Sequence, residues 1–243
     1  MGKLYVIGIG PGGLEHMTLK AIKSIEESDI VVGYTKYLEY IKLLLKNKQT
    51  YSTGMKGEEE RCKQAIELAR TRNVSVVSTG DSGIYGMAGL ILELLEKEES
   101  DIEVEVIPGI TSSSAAASVM GAPLMHDNCN ISLSDLMTPY ELIQKRVKLA
   151  AEGDFVISLY NPKSHGRPHY LMECINIIKE YRALKTPVSV VKNALREGQE
   201  TWLFTLDNFN DEIVDMFSIV TIGNSQSYIK NDKFITPRGY FSK

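Results

Sequence analysis

Met1-Gly-Lys-Leu-Tyr-Val-Ile-Gly-Ile-Gly-Pro-Gly-Gly13 opens the chain with an apolar run that feeds directly into glycines. Leu4–Ile9 reads as a buried strand, and Gly8, Gly10, Gly12 and Gly13 follow, with Pro11 among them. A strand running into glycines marks a turn of unusual φ and implies a backbone pressed against a ligand. Gly8, Gly10 and Gly13 also satisfy G-x-G-x-x-G, the dinucleotide fingerprint, but their surroundings do not. That fingerprint wants a helix starting on the glycines and an acidic residue ending the second strand, to hold ribose hydroxyls. Here the second strand ends Val31-Val32-Gly33-Tyr34, and the next helix opens only near Thr18. Pro11 also removes an N–H that would help cradle a pyrophosphate.

Outward from this loop, strand and helix patterns alternate. Thr18–Glu27 reads as a helix with a Thr cap, Ile30–Gly33 as a short strand, and Lys36–Leu45 as an amphipathic stretch. Glu58–Arg72 reads as a helix with Cys62, Ala65, Ile66 and Ala69 on one face. Val74–Ser78 and Val104–Ile107 read as strands, Ile84–Lys97 and Thr111–Met120 as helices. Such β/α alternation predicts a mainly parallel sheet with helices on both faces. Gly121-Ala-Pro-Leu-Met125 interrupts the pattern as a linker, which places a domain boundary at 122/123. Beyond it, strands are expected at Asn130–Ser134, Phe155–Tyr160, Pro187–Lys192, Thr201–Thr205 and Ser218–Ile222. Helices are expected over Pro139–Ala151 and Pro168–Leu184. The short connection between Lys192 and Thr201 implies a hairpin and hence mixed pairing, while Lys230–Lys243 shows no strong periodicity. The expectation is two α/β domains, 1–122 and 123–243.

Bulk properties exclude several classes. The 243 residues carry 27 Lys+Arg against 31 Asp+Glu, a net charge of −4, which argues against a global nucleic-acid footprint. No apolar run approaches the roughly 18 residues of a membrane helix, and the opening lacks the pattern of a secretion signal. Cys62, Cys129 and Cys174 lie far apart with no C-x-x-C, so reduced thiols and a cytoplasmic location are expected. Four scattered histidines make no metal site.

Two further glycine-rich segments sit where strands give way to helices. In Thr79-Gly-Asp-Ser-Gly-Ile-Tyr-Gly-Met-Ala-Gly89, backbone N–H groups face outward and Asp81 can accept hydrogen bonds at a strand's carboxyl end. An Asp N-cap with glycines for close packing explains the same residues. In Ile107-Pro-Gly-Ile-Thr-Ser-Ser-Ser-Ala-Ala-Ala-Ser118, Thr111 and Ser112 can cap the helix or bind a carboxylate.

Together the three segments resemble the tetrapyrrole methyltransferase family along the whole chain, through Gly8-Ile-Gly-Pro-Gly12, Gly80-Asp-Ser-Gly-Ile-Tyr-Gly86 and Pro108-Gly-Ile-Thr-Ser112. Gly13-Leu-Glu and Ser82 depart from the family's commoner Asp and Pro. The resemblance implies two α/β/α domains with the active site in the cleft between them, and S-adenosylmethionine as donor, leaving S-adenosylhomocysteine. It places donor contacts on Gly10, Pro11, Gly12, Thr79, Gly80, Asp81, Ile84, Tyr85, Thr111, Ser112, Tyr160, Asn161 and Ala194. It also implies a homodimer; charge and hydropathy argue against nucleic-acid and membrane partners, and without a cysteine-rich extension no iron–sulfur centre is expected.

Gly33-Tyr-Thr-Lys-Tyr37, Thr53-Gly-Met-Lys56, Ile131-Ser-Leu-Ser-Asp-Leu-Met-Thr-Pro139, Leu159-Tyr-Asn-Pro-Lys-Ser164 and Asn193-Ala-Leu-Arg196 resemble one branch of that family. This branch methylates carbon 17 of precorrin-3B or cobalt-factor III during corrin-ring biosynthesis, with contraction of the macrocycle. A substrate bearing acetates and propionates calls for cations. Lys163, Arg167 and Arg196 are the expected ligands, with Lys36, Lys56 and Lys192 as further sources, since guanidinium forks suit carboxylates. Ring contraction involves proton transfer; the candidates are Asp135 first, then Asp81, His126, Tyr85 and Ser134. The alternatives are methylation of another ring position, an NAD-dependent oxidoreductase, or a non-catalytic tetrapyrrole carrier.

Overall fold

The computed structural model describes residues 2–54 and 57–240 and divides into two compact units, Met1–Ser112 and Ser113–Lys243. In the first, strands β1 (Lys3–Gly8), β2 (Ile30–Tyr34), β3 (Gln49–Thr53), β4 (Val74–Ser78) and β5 (Glu103–Ile107) form one sheet. Its order is β3-β2-β4-β1-β5 and every pairing is parallel, so all five carboxyl ends share one edge.

Strand side chains alternate between faces, and this alternation sorts the core. Leu4 and Val6 join Ile30, Val32, Val74 and Val76 on the face covered by α3 (Glu58–Ala69) and α4 (Ala88–Lys97). Tyr5, Ile7 and Ile9 join Val31, Val77 and Ile107 on the other, covered by α1 (Leu19–Glu27) and α2 (Thr35–Tyr40). A central strand buried on both faces must be apolar throughout, which is why Leu4–Ile9 lacks a polar side. Helix α3 buries Cys62, Ala65, Ile66 and Ala69, as the periodicity predicts.

The Thr18 side chain accepts a hydrogen bond from the Ala21 backbone N–H at 3.1 Å and caps α1. Thr18→Ala is expected to cost about 1 kcal/mol, read as a lower urea midpoint with an unchanged slope. Thr18→Ser keeps the acceptor and should restore the midpoint.

Three elements differ from expectation in the first unit. Helix α4 starts at Ala88, not Ile84, because Tyr85 has φ +55° and a Cβ on Gly86 would lie 2.5 Å from the Ser82 carbonyl oxygen. The Lys36–Leu45 stretch splits into α2 and a 3-10 turn over Lys42–Leu45. Strand β3 has no counterpart among the expected strands: it lies at the sheet edge with mostly polar residues, so it lacks an apolar run.

The boundary falls one residue into α5 (Ser112–Met120), whose Ala116 and Met120 pack with Tyr160, Val191, Ile219 and Phe234. The division thus falls one helix before the expected boundary at 122. The linker-like Gly121-Ala122 is a short strand, β6, paired to the chain's last strand.

Strands β7 (Asn128–Ser132), β8 (Val156–Tyr160), β9 (Pro187–Lys192), β10 (Glu200–Thr205) and β11 (Ser218–Ile222) form a mixed sheet, order β10-β9-β11-β8-β7. Strands β9 and β10 are the expected antiparallel hairpin. The parallel β7–β8 pair and the two antiparallel steps through β11 aim β7, β8 and β9 alike, so Ser132, Tyr160 and Lys192 end at one edge.

Helices α6 (Tyr140–Glu152) and α7 (Tyr170–Lys179) cover the sheet, α7 being shorter than the expected Pro168–Leu184. Beyond its end, buried Arg182 turns back to the carbonyls of Ala151 and Phe155. The tail, expected to be patternless, holds a hairpin of β12 (Tyr228–Lys230) and β13 (Lys233–Ile235). Asn231 and Asp232 take φ +50° and +55° at its turn, a turn signal present in the sequence. Among the described residues, no helix is long and apolar enough to cross a membrane.

Candidate functional site

The three glycine-rich segments leave the adjacent strands β4, β1 and β5 at the carboxyl edge of the first sheet and grip one another. Gly10 N–H donates to the Gly80 carbonyl at 3.0 Å, and Gly80 N–H to the Gly10 carbonyl at 2.8 Å. Both residues need left-handed backbone, φ +62° and +70°. A Cβ on Gly8 would lie 2.7 Å from the Gly109 nitrogen and the Gly80 carbonyl oxygen. One on Gly109 would lie 2.3 Å from the Gly80 oxygen and 2.5 Å from the Gly8 oxygen. These glycines exist so that backbone can touch backbone.

That corrects the reading of Gly8 as a residue cleared for a ligand: its space is filled by protein. Gly12 is similar, since a Cβ there would lie 2.8 Å from the Tyr40 Cβ. Gly80 differs from Gly8, Gly10 and Gly109 in keeping room, because a Cβ there would meet nothing nearer than Ser112 Oγ at 3.7 Å.

Asp81 closes the clasp. Its Oδ1 accepts from Gly83 N–H at 2.8 Å and its Oδ2 from Gly109 N–H at 3.0 Å, tying the second segment to the third. Buried Ser82 donates to the Ile107 carbonyl at 3.2 Å. Asp81, expected as a donor ligand or an acid–base group, is therefore a latch for backbone N–H groups. Pro11 is buried, while Thr79, Thr111 and Ser112 are half-buried and Ile84 and Tyr85 are exposed. Around Gly80 the edge thus offers small hydroxyl-bearing residues, and its second segment carries two exposed apolar side chains. Such an edge presents hydroxyls and apolar side chains; it has no donor set for a metal. Among the described residues, no group of three His, Cys, Asp or Glu could hold a metal ion.

In the second unit, the buried Tyr160 hydroxyl accepts the Ser113 backbone N–H at 2.9 Å, satisfying an orphan donor in the first turn of α5. Asn161 follows with φ +49°, and its Nδ2 donates to Ser132 Oγ at 2.9 Å. Arg167, expected to face substrate carboxylates, turns inward instead. It is 9% exposed and bonds the Leu133 carbonyl and, at 3.1 Å, the Asn161 carbonyl. A fork that satisfies two carbonyls stiffens both loops at this edge.

Its Nε lies 3.6 Å from Asp135 Oδ1, and the Tyr170 hydroxyl donates to Asp135 Oδ2 at 2.9 Å. That carboxylate holds the Tyr170 phenol above its ordinary pKa, so Tyr170 stays a donor at neutral pH. Asp135, the first-named acid–base candidate, is thus held through both oxygens.

Lys163 Nζ is engaged as well, by the Asp211 carboxylate at 2.9 Å and carbonyl at 3.0 Å. Lys192 pairs with Asp215 at 2.8 Å. Arg196 is half-buried in a tight turn, its N–H bonded to the Asn193 carbonyl at 2.9 Å. Ala194 sits in the same turn and packs against the cluster of Ala116, Met120 and Tyr160. His126 Nδ1 accepts from Asp127 N–H at 2.9 Å, and Ser134 N–H donates to Ser132 Oγ at 3.2 Å. Lys56 lies outside the described residues. Tyr170 carries no sequence signal that would have found it, and Ser132 is marked only as part of the Ile131–Pro139 segment; the fold brings them beside Asp135 and Asn161.

The model of one family, described as Tetrapyrrole (Corrin/Porphyrin) Methylases, matches residues 3–210. A probable cobalt-factor III C(17)-methyltransferase of Salmonella typhimurium is 51% identical over 238 residues, covering 98% of this chain and 99% of the relative. The cobalt-factor III methyltransferase of Priestia megaterium is 47% identical; the alignment covers 100% of this chain but only 46% of that longer relative. The precorrin-3B C(17)-methyltransferase of a Sinorhizobium species is 34% identical, covering 98% and 97%.

Among solved structures, the methyltransferase CobJ superposes with a TM-score of 0.92 at 33% identity, covering 98% of this chain and 100% of CobJ. A uroporphyrin-III C-methyltransferase of Thermus thermophilus, complexed with S-adenosylhomocysteine, has a TM-score of 0.70 at 20% identity, covering 91% and 92%, a likeness of fold.

Proposed function

The chain belongs to the tetrapyrrole (corrin/porphyrin) methylases, and from that membership we propose that its substrate is cobalt-factor III. It is a C-17-methyltransferase of cobalamin biosynthesis, and the product of the proposed reaction is the methylated, ring-contracted cobalt-precorrin-4. One observation carries the choice of the cobalt-bearing substrate. Identity is 51% and 47% to relatives named for cobalt-factor III, against 34% to one named for precorrin-3B.

S-adenosylmethionine is proposed as the methyl donor, supplying the methyl group from its sulfonium. Gly80, where a Cβ would meet nothing nearer than 3.7 Å, and Thr79, Thr111 and Ser112 are proposed to receive it, with Gly10, Pro11, Gly12, Ile84 and Tyr85. Asp81 contributes by holding the second and third loops in register. Tyr160, Asn161 and Ala194 stand as further donor contacts on the strength of the resemblance.

In the transfer, carbon 17 supplies the electron pair of the new C–C bond while the C–S electrons return to sulfur. The substrate carbon is its own nucleophile, so the chain's main task is orientation. A well-held near-attack pose can lower a barrier by up to about 7–11 kcal/mol. Loops braced by backbone contacts, as the clasp braces these, lose little further freedom when reactants bind. Arg196 is proposed as a cation for the substrate's carboxylates. The homodimer is likewise proposed from the resemblance, and the cytoplasmic location from the three widely spaced cysteines.

Two measurements test the reading. S-adenosylhomocysteine at a hundredfold excess over its Kd should stabilise the protein by about 2.7 kcal/mol, seen as a rise in Tm, and NAD should produce none. Incubation with cobalt-factor III and S-adenosylmethionine should give a product with one added methyl group, at carbon 17 by NMR. Stabilisation by NAD alone would restore the dinucleotide reading, and methylation at another carbon would move the chain to a sister activity.

A further inference from the structure

The loop from Leu133 to Pro139 joins β7 to α6 and presents Leu136 and Met137 to solvent, 84% and 95% exposed. This loop is braced. Leu133 N–H donates to the Tyr160 carbonyl at 2.9 Å, and the Leu133 carbonyl receives the buried Arg167. Asp135, immediately before the apolar pair, is gripped by Tyr170 at 2.9 Å and faces Arg167. On the far side, Tyr140 opens α6 with its ring stacked on Tyr170, 3.7 Å between centroids and 15° between planes. Two apolar side chains are thus held outward by a scaffold anchored on both flanks.

We infer that Leu136 and Met137 form an apolar ledge for the flat face of the tetrapyrrole substrate, and that Asp135 is the positioning residue that sets it. The inference rests on the C-17-methyltransferase reading above. Two features favour the macrocycle over another protein chain as the occupant. The brace shares its anchors with the proposed donor contacts: Tyr160 and Asn161 accept the same Leu133 N–H and Arg167 bonds that fix the loop. The chemistry also matches, because a conjugated ring has a broad apolar face and a thioether makes favourable contacts with such π-systems. Arg167 and Tyr170 hold the Asp135 carboxylate on its pins, so it bears on the reaction through the ledge.

The test is steady-state kinetics of the full chain with cobalt-factor III and S-adenosylmethionine. Leu136→Ser/Met137→Ser, an exposed pair whose replacement leaves the core intact, should raise KM for the tetrapyrrole at least tenfold and change kcat much less. Its Kd for S-adenosylhomocysteine and its elution volume on size exclusion should match wild type. Leu136→Met/Met137→Leu, which keeps the surface apolar, should restore KM. Asp135→Asn should raise KM without shifting the pH profile of kcat.

A KM within twofold of wild type in the double Ser variant overturns the ledge while leaving the activity standing. Loss of the oligomer in that variant assigns the pair to an interface between copies instead, and a displaced kcat profile in Asp135→Asn makes Asp135 an acid–base group. Absence of carbon-17 methylation by the wild type overturns the functional reading first, and the ledge with it.

Discussion

Gly109→Ala is expected to destabilise the first unit by about 3 kcal/mol or more, since overpacking against unyielding surroundings lies at the upper end of such costs. The new Cβ would stand 2.3 Å from one backbone oxygen and 2.5 Å from another. Neither belongs to a side chain that can swing away. Relief requires the Pro108-Gly-Ile-Thr111 segment to withdraw from the ends of β1 and β4. That movement also breaks the 3.0 Å bond from Gly109 N–H to Asp81.

The Tm should fall by on the order of 10 °C for a unit of this size, and affinity for S-adenosylhomocysteine should drop at least tenfold. Gly89→Ala is the control. A Cβ there meets nothing within 4 Å, and the residue lies inside α4, where alanine is the better helix former by about 1 kcal/mol. Equal thermal stability of the two variants would show that the three loops do not clasp as described.

Arg167→Ala is the second large effect, with an expected cost of about 3 kcal/mol, because hydrogen bonds from a charged donor contribute about 1.5–3 kcal/mol each. The substitution leaves the Leu133 and Asn161 carbonyls without their buried partner and takes the cation from beside Asp135. Two ligand affinities separate this account from a direct role in substrate binding. A side chain that only met substrate carboxylates would raise KM for the tetrapyrrole and leave donor affinity alone. A brace that shapes the Asn161 turn should weaken S-adenosylhomocysteine binding as well, and lower the Tm. Arg196→Ala supplies the contrast: a rise in KM with donor affinity and Tm close to wild type. Wild-type donor affinity in Arg167→Ala would return that residue to the substrate.

Much of the fold is legible in the chain. Val74–Ser78, Pro187–Lys192 and Ser218–Ile222 are strands with the expected bounds, and Thr18 caps its helix. Where expectation and structure part, the signal is weak or masked. The polar edge strand Gln49–Thr53 has too little burial to impose an apolar pattern. The Tyr85 backbone at φ +55° stops a helix that periodicity alone would extend to Ile84. The closing hairpin hides in three-residue strands, although its Asn231-Asp232 turn is readable afterwards.

The candidate site divides along a similar line. That three glycine-rich loops end neighbouring β/α units is readable from the residues alone, as is, through their resemblance, the family they point to. Local patterns suffice for this, because strand periodicity, capping and turn conformation depend on residues a few positions apart. What the glycines and charged groups touch depends instead on the folded arrangement. Gly8, Gly80 and Gly109 are far apart in sequence and meet because β4, β1 and β5 are neighbours in the sheet. A missing Cβ leaves space for a ligand or for another backbone equally well, and an arginine fork serves a carboxylate or two carbonyls. The choice is made by whatever the fold brings alongside: other loops for Gly8 and Gly109, and the strand-end carbonyls of Leu133 and Asn161 for Arg167.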